Sequence, residues 1–407
     1  MSGDLMPILE LRWARAAPAG SGITPDPGAA ARKDDVLEAA ARPDFPQFFG
    51  PNRDGVVHGP ALDPDWAVRP PQLIWRRPIG AGWSGFAIVG GLAVTQEQEG
   101  ERELVTAYEL TTGRRVWAHG DLTRYRTTIA GEGPRATPTV IGGRVFALGA
   151  NGRLNCLTLA EGRLVWARQV TDDAGSEVPE WGYAGSPLYL EGRVIVSGGG
   201  RDNRSLLAYE AATGAIAWTG GSAPAGYSSP VVVELAGVRQ VLSFNSRRIS
   251  AHAPDTGTVL WEYPWGSGHP HVALPVVVGT NRVVFSSGYG VGAELLEVQR
   301  ESEGRWAAVR VWRSMRLKAK FANFMAQGDF LYGLDDGVLA CVALADGTPR
   351  WKEGRYGHGQ MLRVRDLVLL TTEGGEVVLL QPTPQGPGSC TDTRCSRPRR
   401  GIPGAGG

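Results

Sequence analysis

Lysine, cysteine and long apolar runs are all scarce in this chain of 407 residues. Lysine supplies only four of the 42 basic residues, and 41 acidic residues balance them to leave a formal net charge of +1. A charge this small gives no general attraction to nucleic acid, so no nucleic-acid partner is expected. No run reaches the roughly 18 apolar residues that a membrane-spanning helix needs, so no membrane span is expected either.

Both ends of the chain have compositions typical of disorder. Residues 1–43 are rich in Ala, Pro and Gly, and residues 382–407 are rich in Pro and Gly, so both segments are predicted to be disordered. The first ten residues lack a basic start, and Pro7 and Glu10 interrupt their apolar patch. This is a poor signal peptide, and residues 44–381 remain as the predicted folded domain.

Tryptophan recurs through the middle of the chain at steps of 39 to 52 residues. Six of these Trp residues follow Trp75, and five of the six share a pattern. A Gly stands four residues before the Trp, and a small residue stands ten residues before the Trp. The Gly supplies the positive φ of a tight hairpin, and the small residue lets a neighbouring sheet approach. Repeats of about 40–50 residues with four strands each predict a β-propeller whose Trp side chains pack on the adjacent blade. The recurring residues are Trp75, Trp117, Trp166, Trp218, Trp261, Trp312 and Trp351.

The repeats can be counted as blades. The last set of strands runs out at Leu380 without a terminal Trp, and Pro71–Trp75 is predicted to supply its missing outer strand. Pairing the two ends in this way removes the exposed edges of an open sheet. The sequence therefore predicts an all-β fold, a seven-bladed propeller of four-stranded antiparallel blades closed by an N-terminal strand, and a monomer. The blades are predicted to start near Phe86, Thr137, Ser186, Ser229, Leu274, Phe324 and Gln360.

The four cysteines do not have the spacing of a metal or haem site. Cys156 and Cys341 occupy the small position of their repeats, where Ala stands in other repeats, so buried packing roles are predicted. Cys390 and Cys395 are spaced to close a small loop if oxidised. No two cysteines are adjacent, and no metal site is predicted.

The hairpin signature Ala-x-x-x-x-Thr-Gly-x-x-x-Trp occurs in full at Ala107–Trp117, Ala208–Trp218 and Ala251–Trp261. It resembles the tryptophan-docking repeat of PQQ-like propellers. That family includes the propeller lipoprotein of the outer-membrane β-barrel assembly machinery, pyrroloquinoline-quinone-dependent alcohol dehydrogenases and many bacterial repeat proteins. The opening Phe45–Gly55 looks most like the last group.

The resemblance implies two functions. One is a non-catalytic binding or scaffold protein of the periplasm or cell envelope, without a cofactor, and this is the prediction. The alternative is an alcohol dehydrogenase that uses pyrroloquinoline quinone with Ca²⁺. Those enzymes typically have eight blades, an adjacent Cys pair stacked on the quinone and a catalytic Asp near the Ca²⁺, whereas this chain has no such pair and counts to seven blades.

Candidate binding residues stand in the loops that enter the innermost strands, because these loops converge at the axial mouth of a propeller. Cationic, aromatic and imidazole side chains there suit a planar anion, such as a quinone carboxylate, or a protein segment that is acidic or contains aromatic residues. The alternative reading is that the aromatic side chains pack on neighbouring loops and the basic ones are simply solvated. No catalytic residue is predicted. The candidates are Arg135, Trp181, Tyr183, Tyr227, His271, Lys320 and His358.

Overall fold

The fold was determined from a computed structural model, which describes residues 44–59, 61–266, 268–301 and 304–388. These residues form seven four-stranded sheets, one two-stranded sheet and one short helix. The fold is the predicted seven-bladed β-propeller, and the first strand of each blade begins no more than two residues after its predicted start. The chain divides into two compact units.

The first unit holds Ile74–Pro230 and Asp255–Thr258 together with the described residues up to Pro51. Its three blades are antiparallel and each follows chain order from the inner to the outer strand. The first blade contains β2 (Ala87–Val89), β3 (Leu92–Glu99), β4 (Arg102–Glu109) and β5 (Arg115–Leu122). The two-stranded sheet follows, as β6 (Arg126–Thr127) and β7 (Gly131–Glu132).

The second blade contains β8 (Thr139–Ile141), β9 (Arg144–Leu148), β10 (Arg153–Thr158) and β11 (Leu164–Gln169), and the helix α1 (Val170–Ala174) comes next. The third contains β12 (Leu188–Leu190), β13 (Arg193–Gly200), β14 (Arg204–Glu210) and β15 (Ile216–Gly220).

The second unit holds Asn52–Leu73, Val231–Pro254 and the described residues from Val259 onward. Its first blade, the fourth of the chain, contains β16 (Val231–Leu235), β17 (Val238–Asn245), β18 (Arg248–His252) and β19 (Val259–Pro264). The fifth contains β20 (Val276–Val278), β21 (Arg282–Ser287), β22 (Gly292–Arg300) and β23 (Trp306–Ser314). The sixth contains β24 (Phe324–Gln327), β25 (Phe330–Asp335), β26 (Val338–Ala343) and β27 (Pro349–Arg355). The seventh contains β1 (Val56–Val57), β28 (Gln360–Val364), β29 (Leu367–Thr371) and β30 (Val377–Leu380).

The core lies between adjacent sheets, where the middle strands of each blade bury both faces. Phe146 and Leu154 of the second blade pack against Val196 and Leu207 of the third in one cluster. Burial on both faces explains why strands such as Arg144–Leu148 and Val338–Ala343 contain continuous apolar runs rather than alternating ones. Cys156 and Cys341 are fully buried in such clusters, as predicted.

The repeating Trp side chains dock on the following blade, as predicted. The indole Nε1 of Trp117 donates a hydrogen bond of 2.8 Å to the carbonyl of Leu159. Its ring covers Gly162, where an added Cβ would lie 2.4 Å from the ring, and the φ of +64° at this glycine suits the hairpin. The Nε1 of Trp166 donates to the carbonyl of Ala211, and the Nε1 of Trp312 donates to the carbonyl of Leu344. In both cases the acceptor stands three residues before the Gly that the Trp ring covers. The Gly is therefore a steric requirement of the docking.

Trp261 is an exception to this pattern. Its Nε1 donates to the side-chain oxygen of Gln240, within its own blade, at 2.8 Å. The following blade contains the stretched hairpin β22–β23, in which Gly304 stands eight residues before Trp312 instead of four. That hairpin lacks the usual docking glycine, and Gln240 satisfies the indole instead.

The predicted strand at Pro71–Trp75 does not complete the seventh blade. Trp75 instead docks on the first blade, where its Nε1 donates to the carbonyl of Leu110 at 2.8 Å and its ring covers Gly113. The N-terminal strand that joins the seventh blade is β1, which pairs in parallel with β28. Trp75 is a docking Trp without a strand of its own.

The docking Trp of the sixth blade, Trp351, contacts a turn that follows the last strand of the seventh blade. Residues 382–388 form a turn in which Thr383 pairs with Gly386, and the carbonyl of Thr383 accepts a hydrogen bond from Trp351 Nε1 at 2.8 Å. The predicted domain boundary at residue 381 lies just before this turn. Residues 1–43 and the rest of the predicted tail, with Cys390 and Cys395, lie outside the described residues. Among the described residues, no helix has both the length and the apolarity to cross a membrane.

Candidate functional site

The predicted binding residues fall into two groups. Arg135, Trp181, Tyr183 and Tyr227 belong to the first unit, whereas the second unit holds the remaining candidates, His271, Lys320 and His358. Each group is described here within its own unit.

In the first unit, Arg135 braces the loop that contains the β6–β7 hairpin. Its guanidinium donates to the carbonyls of Gly133 and Ala130, the latter at 2.7 Å, and it lies 4.5 Å from the ring centroid of Tyr125. Burial lowers the pKa of this guanidinium. Because its terminal nitrogens donate to backbone carbonyls, Arg135 holds this loop in place.

The next two loops continue from Tyr125. Its hydroxyl donates to the carbonyl of Glu180 at 2.5 Å, which positions the neighbouring Trp181. The rings of Trp181 and Tyr227 lie 5.6 Å apart between centroids, and the Tyr227 hydroxyl accepts a bond of 3.3 Å from the Trp181 backbone N–H. Burial raises the pKa of Tyr227 to about 12, so its hydroxyl keeps its proton at neutral pH. Three of the predicted residues are therefore linked in one chain of contacts.

Trp83 completes this surface, although it was not among the predicted residues. Its indole is 62% exposed, and its Nε1 lies 3.4 Å from the point that a Cβ on Gly131 would occupy. Its backbone N–H donates to the carbonyl of Pro134 at 2.8 Å. The sequence signal was present, since Trp83 stands in one of the loops that enter an innermost strand. We call the set Trp83, Tyr125, Arg135, Trp181 and Tyr227 the aromatic platform.

A buried carboxyl group lies beside the aromatic platform. Glu103 accepts a bond of 3.1 Å from the Ala150 N–H. Burial raises the pKa of Glu103 to about 7, and the nearby charge of Asp121 adds to the rise, whereas the Ala150 bond and Arg135 oppose it. Glu103 therefore changes charge near neutral pH.

Tyr183 lies in the core and not at an open mouth. Its side chain is buried in the cluster between the second and third blades, and its hydroxyl donates to the carbonyl of Gly198 at 3.1 Å. The loop turns this ring inward because Gly182, just before it, adopts a φ of +72°. Tyr183 is a packing residue in this structure.

In the second unit, Lys320 and His358 are linked through one aromatic ring. The ammonium of Lys320 lies 5.5 Å from the ring centroid of Phe321, and His358 meets the same ring edge-on at 5.6 Å. Tyr289 lies 4.9 Å from the Lys320 ammonium and stacks on His269 at 4.9 Å. Lys320 is buried, so its charge acts on these rings more than on solvent.

His271 is a core residue. Its ring stacks on Phe244 with centroids 4.5 Å apart and planes 2° apart, and it meets Trp265 edge-on. Only 1% of its surface is exposed. The loop residue at this position therefore packs between strands, as histidines on apolar surroundings commonly do.

The repeats place the chain among known proteins. A sequence model for the family described as "Outer membrane protein assembly factor BamB" matches residues 101–353, which is more than half of the chain. The chain belongs to this family. The solved structure of BamB from Moraxella catarrhalis is similar to this chain, with a TM-score of 0.52 and 18% identity. The alignment covers 74% of this chain and 84% of that one.

Quinoprotein enzymes share the fold of this BamB-type chain. A europium-containing methanol dehydrogenase aligns with a TM-score of 0.59 and 14% identity, over 86% of this chain and 85% of that one. The quinohemoprotein alcohol dehydrogenase ADH IIB of Pseudomonas putida is 28% identical over 120 residues. That match covers 28% of this chain and 17% of the enzyme, so the chain spans only a small part of this relative's length.

Proposed function

We propose that this chain is a non-catalytic binding protein of the cell envelope, and that a protein segment docks on the aromatic platform. The observation that carries the proposal is the exposed indole of Trp83, fixed above the β6–β7 hairpin. Contiguous apolar patches with a polar rim often mark sites that a partner covers, and Trp is enriched among the residues that carry most of the binding energy.

The support beneath Trp83 favours binding. Arg135 and Tyr125 hold the loop through hydrogen bonds and a cation–π contact, and Tyr227 holds Trp181. A surface that is already ordered loses little conformational entropy when a partner binds, so more of the contact energy appears as affinity. The half-buried rings of Trp181 and Tyr227 would extend the apolar contact beyond Trp83.

Membership of the BamB-type family supports an envelope role. The family is described as an outer membrane assembly factor, and such a factor works by contact with other proteins. The platform residues belong to the first unit, and the family match begins at residue 101, so it includes four of the five platform residues.

A quinone-dependent dehydrogenase is the second candidate, favoured by the 28% identity with the quinohemoprotein enzyme. The side chains fit this function poorly. Cys156 and Cys341 are buried in different blades, and the described residues contain no group of three or more metal-ligating side chains placed to hold an ion.

Site-specific photo-crosslinking in the native host tests the binding role. A benzoylphenylalanine placed at position 83 should give a discrete protein adduct in the envelope fraction. The matched control is position 164, because Leu164 is also exposed (48%) and lies in the same unit on β11. Equal adducts from both positions, or no protein adduct from position 83, would contradict the proposal.

Enzyme activity is tested separately on purified protein supplied with pyrroloquinoline quinone and Ca²⁺. The binding role predicts no reduction of an electron-accepting dye when primary alcohols are added. Alcohol-dependent dye reduction would overturn the non-catalytic assignment, whatever the crosslinking result.

A further inference from the structure

An open pocket of about 450 Å³ lies in the second unit, where β1 crosses the inner edge of the seventh blade. Two arginines and one histidine contribute to its wall. The lining residues are Val56, Val57, His58, Gly59, Arg363 and Arg365. The aromatic platform belongs to the first unit and contributes no residue to this pocket.

The pocket exists because of the parallel pairing of β1 with β28. The N–H of Arg363 donates to the carbonyl of Gly55 at 2.7 Å, and Val56 stands opposite Arg363 in the register. This pairing lays the segment that ends at His58 beside the turn that carries Arg365. Arg365 has a φ of +59° at the hairpin between β28 and β29, which is an unusual conformation for a non-glycine residue.

The positive charges of the pocket have no carboxylate partner. Within the described residues, neither Arg363 nor Arg365 forms an ion pair, and the buried Nε of Arg363 lacks a hydrogen-bond acceptor. One terminal nitrogen of Arg363 makes a single bond of 3.3 Å to the carbonyl of Ala326. The nearest carboxylate in sequence, Asp366, accepts a bond from Gln381 instead. The exposed side chain of Arg365, which forms no ion pair, is therefore available to an anionic ligand, and Arg363 contributes to the same wall.

We propose that this pocket binds a phosphate group carried by a small organic molecule or by a lipid headgroup. Guanidinium groups match phosphate oxygens in geometry and charge, and two of them with an imidazole provide donors for several oxygens at once. The volume exceeds that of a phosphate ion alone, and Val56 and Val57 give one wall an apolar surface for the carbon part of the ligand.

Titration calorimetry with inorganic phosphate tests the site on the full chain. We expect saturable binding that weakens about tenfold in Arg363→Gln and in Arg365→Gln, because each loses a charge-assisted hydrogen bond. Arg247→Gln is the matched control, since Arg247 is also an exposed arginine with a φ of +61° in a hairpin turn of the same unit. It should bind phosphate like the wild type.

No saturable phosphate binding by the wild type, or an equal loss in all three variants, would overturn the proposal. Melting temperatures of the variants show whether a loss reflects unfolding, and the Arg365→Gln variant is the safer one because its side chain is exposed. The ligand source is then separated with glycerol phosphate and with vesicles of phosphatidylglycerol in phosphatidylcholine. If one of these two ligands binds and Arg365→Gln weakens that binding, the result supports the site and identifies the source. If the protein binds neither ligand, the proposal is overturned.

Discussion

The ammonium of Lys318 lies 2.6 Å from a carboxylate oxygen of Asp335, whose side chain is fully buried. The second oxygen of Asp335 lies 2.8 Å from the ammonium of Lys352. Lys318 also contacts Asp336, at 3.1 Å. One buried carboxylate thus joins three elements of the sixth blade: the loop before it, β25 and the outer strand β27.

Removing this carboxylate should destabilise the protein. Asp335→Ala leaves the Lys352 ammonium without this carboxylate and Lys318 with Asp336 alone, and we expect a loss of about 3 kcal/mol in the free energy of unfolding at pH 7. Burial works to raise the pKa of Asp335, but the bonds from Lys318 and Lys352 outweigh it and hold the pKa below its ordinary value. The contribution is therefore present at neutral pH and fades as the pH falls through that lowered pKa. Urea unfolding at several pH values measures it.

The exposed pair Arg193–Asp255 serves as the control for that variant. Asp255→Ala should cost less than about 1 kcal/mol, because water screens exposed ion pairs. A similar cost for both aspartate variants would show that Asp335 contributes no more than an exposed pair.

Adding a methyl group beneath a docked Trp should be more harmful than adding it to an open turn. Gly162 and Gly142 both have positive φ, +64° and +55°, but only Gly162 lies under a ring, that of Trp117. Gly142→Ala should cost about 1 kcal/mol from backbone strain alone. Gly162→Ala should cost about 1–3 kcal/mol more from overpacking. Thermal unfolding of the two variants compares them, and equal losses would contradict the steric role of the docking glycine.

The raised pKa of Glu103 predicts a pH-dependent stability. Because its folded pKa, about 7, lies above the unfolded one, the group destabilises the fold as the pH rises between the two values, by up to about 3 kcal/mol. Glu103→Gln keeps an oxygen for the Ala150 N–H and carries no charge. It should therefore gain stability relative to the wild type between pH 5 and pH 8, as measured by denaturant unfolding. Glu161→Gln, at an exposed turn of the same unit, should show no such gain.

Two tryptophans should separate docking from binding. Trp218 is 7% exposed and covers Gly257, so Trp218→Ala should cost about 3–5 kcal/mol. Trp83→Ala should change stability by only about 0.5 kcal/mol, because that indole is largely exposed. Differential scanning calorimetry measures both. A large loss from Trp83→Ala would make it a structural residue and weaken its assignment to the aromatic platform.

The blades could be predicted from the sequence because their signal is local and repeated. Each Gly and Trp pair specifies a hairpin and a docking contact within one repeat, so the strand starts followed directly. Trp75 was misassigned because a Trp that docks from an irregular segment has the same spacing as one that ends a strand. The parallel pairing of β1 could not be read from two valines, since such a short strand has no periodicity.

The directions of the candidate side chains could not be predicted, because a loop sequence does not specify which way its side chains point. Arg135, Trp181 and Tyr227 do lie together, as convergent loops require. His271 and Tyr183 stand in equivalent loops, but their rings pack inward against Phe244 and the strands around Gly198. That difference depends on backbone turns such as the one at Gly182, which become visible only in three dimensions.

Because the tryptophan hydrogen bonds point in one direction along the chain, the N-terminal and C-terminal ends of a run of blades differ. The indoles that bond to another repeat, such as those of Trp117 and Trp166, donate toward the repeat that follows them in the chain. Loss of a following repeat exposes the apolar indole ring to water, whereas loss of a preceding repeat exposes only a glycine hairpin and a carbonyl that water can satisfy. Whole repeats are therefore gained or lost at lower energetic cost at the N-terminal end of such a run than at its C-terminal end.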